Sequence, residues 1–94
     1  VKPSLSNQLN DNINKQDDDG YTVLMMACIC GNNETAKLLL NHPNIDINKQ
    51  NNNGETALMF ACQQNNYEIV ILLLNHSNID VNKQNNNGDT ALIH

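Results

Sequence analysis

The chain has 94 residues, a formal charge of −5 at pH 7, and 39% hydrophobic residues of which few are aromatic. Nucleic acids and anionic membrane surfaces attract clustered lysine and arginine, so five scattered basic residues argue against both as partners. A protein partner with a neutral or basic surface is favoured instead. With one Phe, two Tyr and no Trp, we expect an aliphatic and thin core.

Targeting signals and cysteines give a first expectation about location. No apolar run approaches the roughly 20 residues of a membrane helix, and the first residues, "VKPSLSNQLN", contain no apolar signal core. Three cysteines, an odd number, fit a reducing compartment, which means the cytoplasm or the nucleus. Because the sequence lacks an initiator Met and stops within a repeat, we expect a fragment of a longer protein.

The sequence repeats itself every 34 residues. The anchors of the repeat are three glycines, three threonines, three leucines and two alanines: Gly20, Gly54 and Gly88; Thr22, Thr56 and Thr90; Leu24, Leu58 and Leu92; Ala27 and Ala61. A period of this length indicates a solenoid, in which each unit buries its apolar face against its neighbours. The units are about 13–46, 47–80 and a truncated 81–94, and residues 1–12 are a degenerate preceding repeat or an N-terminal capping segment.

Each unit opens with a polar turn. "DINKQNNNG", from Asp46 to Gly54, is first β-tolerant and then rich in turn residues, which predicts a hairpin. A tetratricopeptide repeat also has a period of about 34 residues, but its two long helices leave no room for a hairpin. The pattern therefore favours one hairpin and two shorter helices per unit.

The first helix follows the turn at once. Thr22 and Thr56 are predicted N-caps, since a hydroxyl accepts one of the unpaired N–H groups of the first turn. About seven to nine helical residues follow. The helix is predicted to stop at Gly31 in unit one and at Asn65 in unit two, because Gly and Asn adopt the left-handed conformation most readily.

The second helix reads "NETAKLLLNH" in unit one and "NYEIVILLLNH" in unit two. The leucine triplets 38–40 and 72–74 are expected to supply most of the buried area. The helices should end near His42 and His76, where the helix dipole favours a cation.

The units from Asp17 to Asn48, "DDDGYTVLMMACICGNNETAKLLLNHPNIDIN", and from Asn51 to Asn82, "NNNGETALMFACQQNNYEIVILLLNHSNIDVN", resemble the ankyrin repeat. The resemblance covers about residues 13–94 and implies an all-α repeat solenoid, an ankyrin-type stack of a hairpin plus two antiparallel helices per unit. Met25 and Met59 stand where the family has His, so the family's Thr-to-His hydrogen bond at the helix start cannot form.

The resemblance implies a non-enzymatic protein–protein interaction scaffold. Its partner would lie against the hairpin tips and the exposed face of the first helix, which together form a concave side. The positions are Gln16, Asp18, Asp19, Tyr21, Ile29 and Cys30 in unit one; Gln50, Asn52, Asn53, Glu55, Gln63 and Gln64 in unit two; and Gln84, Asn86, Asn87 and Asp89 in unit three. Solvated turn residues are the alternative interpretation of the same positions.

Unit one is the predicted centre of this surface. It has three consecutive acidic residues, an aromatic side chain at Tyr21, and Ile29 with Cys30 where unit two has Gln63 with Gln64. Aromatic residues are enriched among the side chains that dominate binding. Alternative functions are a purely structural spacer and a substrate-targeting segment of a larger enzyme or effector, and a truncated array is also expected to self-associate.

No motif predicts catalysis, a cofactor or a metal. Cys28 and Cys30 lie about 200° apart around a helix, so with His42 they make a poor metal site. Cys28 and Cys62 are better explained as small packing residues. Asn48 and Asn82 lie in a pattern similar to that recognised by asparaginyl hydroxylases, and the alternative is an amide that ties the hairpin together.

Overall fold

The computed structural model describes residues 13–92, in which four helices follow one another as two pairs. Unit one contains α1 (Val23–Cys30) and α2 (Asn33–Leu40), and unit two contains α3 (Ala57–Gln63) and α4 (Tyr67–Leu74). Short connections make the helices of each pair antiparallel. α1 packs on α3 and α2 packs on α4, so the units stack side by side. The predicted all-α solenoid is confirmed.

Two expectations lie outside the described residues. They are the interpretation of residues 1–12 as a degenerate repeat or cap, and the helix that would follow the turn of the third unit. The third unit is described up to residue 92 and contributes its turn.

The first helices begin at the predicted threonines. Thr22 Oγ1 accepts the N–H of Met25 at 3.2 Å, and Thr56 Oγ1 accepts the N–H of Met59 at 3.3 Å. Each threonine N–H in turn donates to the methionine Sδ, at 3.5 Å and 3.4 Å respectively. The cap is therefore reciprocal, with a buried sulfur as a weak acceptor where the family has an imidazole.

The ends of the first helices also agree with the sequence. Gly31 has φ 71° and Asn65 has φ 57°, both in the left-handed region. The second helices then begin with asparagine caps, because Asn32 Oδ1 accepts the N–H of Thr35 and Asn66 Oδ1 accepts the N–H of Ile69. Asn65 therefore ends α3 as Gly31 ends α1, and Asn66 caps α4 as Asn32 caps α2.

The expectation for the leucine triplets is wrong. Leu73 is 0% exposed and Leu39 is buried, whereas Leu38 is 73% exposed and Leu74 is about half exposed. Successive helical side chains are rotated by about 100°, so three consecutive leucines cannot share one inward face. The helices also end two residues before His42 and His76, at Leu40 and Leu74.

The predicted hairpins form turns without strands anywhere in residues 13–92. In the first turn the Gly20 N–H donates to the Asp17 carbonyl at 2.9 Å, and the Asp17 N–H donates to the Tyr21 carbonyl at 3.0 Å. Thr22 already caps α1 at the next residue. The chain therefore enters the helix before a strand ladder can extend.

The core is a thin stripe that runs through both units, as the composition predicted. Its largest fully buried side chains are aliphatic or contain sulfur: Leu24, Met25, Cys28, Ile47, Met59, Ile69 and Leu73. Phe60, the one phenylalanine, is also buried and lies at the seam between the units, where its ring stacks on that of Tyr21.

Candidate functional site

Three turns lie side by side along one edge of the stack. We call them tip 1 (residues 16–21), tip 2 (residues 50–55) and tip 3 (residues 84–89). In tip 2 the buried Asn51 Oδ1 accepts the N–H groups of Asn53 and Glu55, each at 2.9 Å. Asp17 and Asn85 bind the corresponding N–H groups of their own tips.

This organising role was missed in the sequence. The available signal was a short residue with a side-chain oxygen at the same register in every unit, since Asp and Asn oxygens accept N–H groups a few residues ahead. The three consecutive acidic residues of tip 1 are thus partly explained by turn chemistry.

A first column of amides joins neighbouring tips. Gln16 Nε2 donates to the carbonyl of Gly20 in its own tip at 2.9 Å and to that of Gln50 in the next at 2.8 Å. Gln50 Nε2 repeats both contacts with Gly54 and Gln84, each at 2.9 Å. Each glutamine therefore closes one turn and fixes the distance to its neighbour.

A second column lies at the outer end of the tips. Asn52 Nδ2 donates to the Asp18 carbonyl at 3.0 Å, and Asn86 Nδ2 donates to the Asn52 carbonyl at 3.0 Å. Backbone bonds accompany them, from the Asn52 N–H to Asp19 and from the Asn86 N–H to Asn53. The three tips thereby form one row with its backbone positions fixed.

The predicted contact residues divide into two groups within this row and the helices behind it. Ten are exposed: Asp18, Asp19, Cys30, Asn52, Asn53, Gln63, Gln64, Gln84, Asn86 and Asn87. Six are only partly exposed: Gln16, Tyr21, Ile29, Gln50, Glu55 and Asp89. That the residues of this row bind a partner stays a prediction.

Tyr21 and Ile29 have packing partners in the stack. The Tyr21 ring stacks on Phe60 of α3 with centroids 5.7 Å apart, and Ile29 packs against the core. Both side chains therefore have a structural reason to be apolar, in addition to any contact with a partner. Of Tyr21, Ile29 and Cys30, which distinguish unit one in the sequence, only Cys30 is exposed.

The three cysteines are free and differ in environment. Burial raises the pKa of the Cys28 thiol from 9.0 to about 12. Burial also raises the pKa of the Cys62 thiol, which is only partly covered. Since the thiolate is the nucleophile and metal ligand, Cys28 is held in its unreactive form.

His42 and His76 close loops. His42 Nδ1 accepts the N–H of Asn44 at 3.0 Å, and His76 Nδ1 accepts that of Asn78 at 3.1 Å. These contacts give both side chains a structural role in closing the loop that follows the second helix. Among residues 13–92, no three His, Cys, Asp or Glu side chains are placed to share a metal ion.

Asn48, at the start of unit two, binds the loop at the end of the same unit, behind the tips. Its Nδ2 donates to the Asn78 carbonyl at 2.8 Å, and its Oδ1 accepts the N–H of Asp80 at 2.9 Å. Asn14 makes the same pair of bonds one unit earlier. These bonds supply the structural alternative for Asn48, while hydroxylation of Asn48 or Asn82 stays a prediction.

A groove of about 350 Å³ lies between α2 and α4. Lys37 Nζ lies 3.6 Å from Glu68 Oε2 across this seam, and both side chains are about half exposed, so the ion pair adds little stability. The groove is lined by Lys37, Leu40, Asn41, Leu72, Asn75 and His76. The row of tips, by contrast, carries most of the exposed predicted residues.

Stacked helix pairs joined by ordered turns define a helical repeat protein. The family model described as "Ankyrin repeats (3 copies)" matches residues 2–85, and the chain therefore belongs to the ankyrin repeat family. Ankyrin repeats generally serve as protein–protein interaction modules and typically have no enzymatic activity. A search of curated protein sequences returned no significant match. Across residues 13–92, every helix is too short to cross a bilayer.

Proposed function

We propose that the chain is a non-enzymatic scaffold that binds a partner protein through the row of tips and the exposed face of α1 and α3. The observation that carries this proposal is the pair of amide columns, which fixes the tip backbones while their outer side chains remain exposed. A surface ordered before binding loses little conformational entropy on association, so more of the contact energy appears as affinity.

The charge of the row favours a particular orientation of the partner. Tip 1 carries Asp17, Asp18 and Asp19, whereas tips 2 and 3 have asparagines at the equivalent positions. The acidic end at tip 1 therefore suits a partner that presents basic groups there, and the amide-rich end suits a neutral surface. The free cysteines support a reducing compartment, the cytoplasm or the nucleus.

The chain supplies its own matched variant for testing the row. Changing Asp18→Asn and Asp19→Asn gives tip 1 the outer residues of tips 2 and 3, which already fold into the same turn. We expect unchanged helical circular dichroism and about five- to tenfold weaker binding to a partner recovered by affinity capture, measured by calorimetry with the purified pair.

A second variant tests which side of the stack is used. Ile71→Lys places on α4 the residue that unit one has at Lys37, outside the three tips, and should leave the partner Kd unchanged. If Ile71→Lys weakens binding and the tip variant does not, the row is not the site. If no partner is captured and exchanging tip residues leaves the protein's function intact, the array is a structural spacer.

We further infer that the array self-associates weakly at high concentration. Apolar side chains are exposed on the first and the last described helix, Val23 and Met26 on α1 and Tyr67 and Ile71 on α4. Exposed apolar patches of this kind promote association. Light scattering after size-exclusion chromatography should show a concentration-dependent mass that Ile71→Lys lowers, and a constant monomer mass would contradict this inference.

A further inference from the structure

Tips 2 and 3 each contain an Asn-Gly dipeptide, a sequence that is chemically labile, and the two dipeptides lie in different environments. Asn53-Gly54 in tip 2 and Asn87-Gly88 in tip 3 both follow the same residues, "KQNN". We propose that Asn87 is a site of spontaneous deamidation in the folded 94-residue chain, and that stacking of tip 3 on tip 2 protects Asn53. This modification site is independent of the proposed binding function.

The reaction needs only the chain and water. The backbone nitrogen of the following glycine loses its proton and attacks the side-chain Cγ of asparagine. The new N–Cγ bond closes a five-membered imide, and the amide nitrogen leaves as ammonia. Water then opens either imide bond, which gives aspartate or isoaspartate, so one water is consumed and one ammonia is released. Glycine favours the attack because no side chain hinders its nitrogen.

Each turn resists the attack by holding the glycine nitrogen. The Gly54 N–H donates to the Asn51 carbonyl, and the Gly88 N–H donates to the Asn85 carbonyl, both at 2.9 Å. The side chains of Asn53 and Asn87 are both exposed. The reaction therefore requires local opening of the turn in both tips. The two sites differ in the contacts with a neighbouring tip that this opening must also break.

Opening of tip 2 must also break its contact with tip 3. The Asn53 carbonyl accepts the Asn86 N–H at 2.9 Å. A Cβ built on Gly54 would lie 2.8 to 2.9 Å from atoms of Asn85 and Asn86, whereas one built on Gly88 meets no atom of residues 13–92 within 4 Å. Tip 3 thus covers the Asn53-Gly54 pair, while no residue of the described part of the chain covers Asn87-Gly88.

The two products have different consequences for the row. Tip 1 already has Asp19 at the equivalent position and makes the same turn bonds, so aspartate is compatible with this geometry. Isoaspartate adds a methylene to the backbone, and at position 53 it would displace the carbonyl that binds Asn86. Either product adds a negative charge to the row.

The test compares the two sites within one molecule. The chain is incubated at neutral and mildly alkaline pH, folded with trimethylamine N-oxide present and unfolded in urea, and each site is quantified by peptide mass spectrometry. In urea both should convert at closely similar rates, since their neighbours match. In the folded chain we expect Asn53 to convert about five- to tenfold more slowly, the factor that one net backbone hydrogen bond gives to local opening.

Two variants sharpen the comparison. Asn87→Gln should remove conversion at position 87 and leave the rate at Asn53 unchanged. Asn86→Ala removes the bond from Asn86 Nδ2 to the Asn52 carbonyl and should raise the Asn53 rate toward that of Asn87. Equal or faster conversion of Asn53 in the folded chain would overturn the proposal. So would a folded Asn87 that stays intact while the unfolded chain converts.

Discussion

Equivalent side chains differ sharply in burial between the seam that joins the two described units and the outer sides of those units. Phe60 of α3 is 6% exposed, whereas Met26, its equivalent on α1, is 46% exposed. Likewise Ile47 is 2% exposed and Val81, one unit later, is 40% exposed. The residues are apolar in each pair, so their position in the stack decides their burial. A unit of this protein obtains much of its core from its neighbour.

The largest expected effect is at the seam itself. Phe60→Ala should lower the free energy of unfolding by about 3–5 kcal/mol, because it removes a buried ring that also stacks on Tyr21. The matched change Met26→Ala at the exposed equivalent should cost less than about 1 kcal/mol. Urea titrations followed by circular dichroism measure both losses of unfolding free energy. Similar losses would mean that the seam is not packed more tightly than the exposed side of α1.

Two glycines test the contact between tips. Gly54 and Gly88 have similar positive φ values, 78° and 82°, so alanine costs about 1–2 kcal/mol of backbone strain at either. At Gly54 the added Cβ would also collide with the backbone of tip 3, which should cost about 1–3 kcal/mol more. The Tm of Gly54→Ala should therefore be well below that of Gly88→Ala. The reverse order would contradict close packing of the tips.

Asn48 and Asn82 offer a smaller contrast. Asn48→Ala removes both amide bonds to the loop at residues 78–80 and should cost about 1–3 kcal/mol. Asn82 has no such loop beside it in residues 13–92, and Asn82→Ala should stay within about 0.5 kcal/mol. Denaturant midpoints would show the difference, while equal midpoints would remove the structural explanation for Asn48.

The buried cysteine makes the stability of the fold depend on pH in the alkaline range and not at neutral pH. Since the pKa of the Cys28 thiol is about 12 in the fold against 9.0 without burial, its stabilising effect is complete below pH 9 and is lost as the pH rises toward 12. Cys28→Ala should therefore flatten this alkaline decline in unfolding free energy. In labelling with a thiol reagent at mildly alkaline pH, Cys30 should react first and Cys28 last, as read by mass spectrometry, and early labelling of Cys28 would contradict its burial.

Much of the fold could be predicted because the repeat presents each signal twice. Thr22 with Gly31, and Thr56 with Asn65, marked the limits of the first helices correctly, since caps depend on local chemistry. The leucine triplets could not be resolved in the same way. Which of Leu38, Leu39 and Leu40 points inward depends on the orientation of α2 against α1 and α4, and no local pattern specifies it.

The sequence predicted the positions of the candidate site but not the contacts that its residues make. The sequence located the three tips, and the structure shows them hydrogen bonded into one row. It could not show that Gln16 and Gln50 use their amides within the stack, nor that Tyr21 packs on a ring 39 residues away in the chain. These contacts join residues about one repeat apart, so they exist only once the units are stacked.

By itself the sequence determined the repeat length, the order of turn and helices, the caps and the family, because these depend on short-range preferences and on a pattern stated twice. Only the tertiary structure decided which apolar side chains are covered, which amides bridge the tips and which Asn-Gly step is shielded. The physical reason is that one unit forms its local structure alone, while burial and the hydrogen bonds between tips require a second unit at its side.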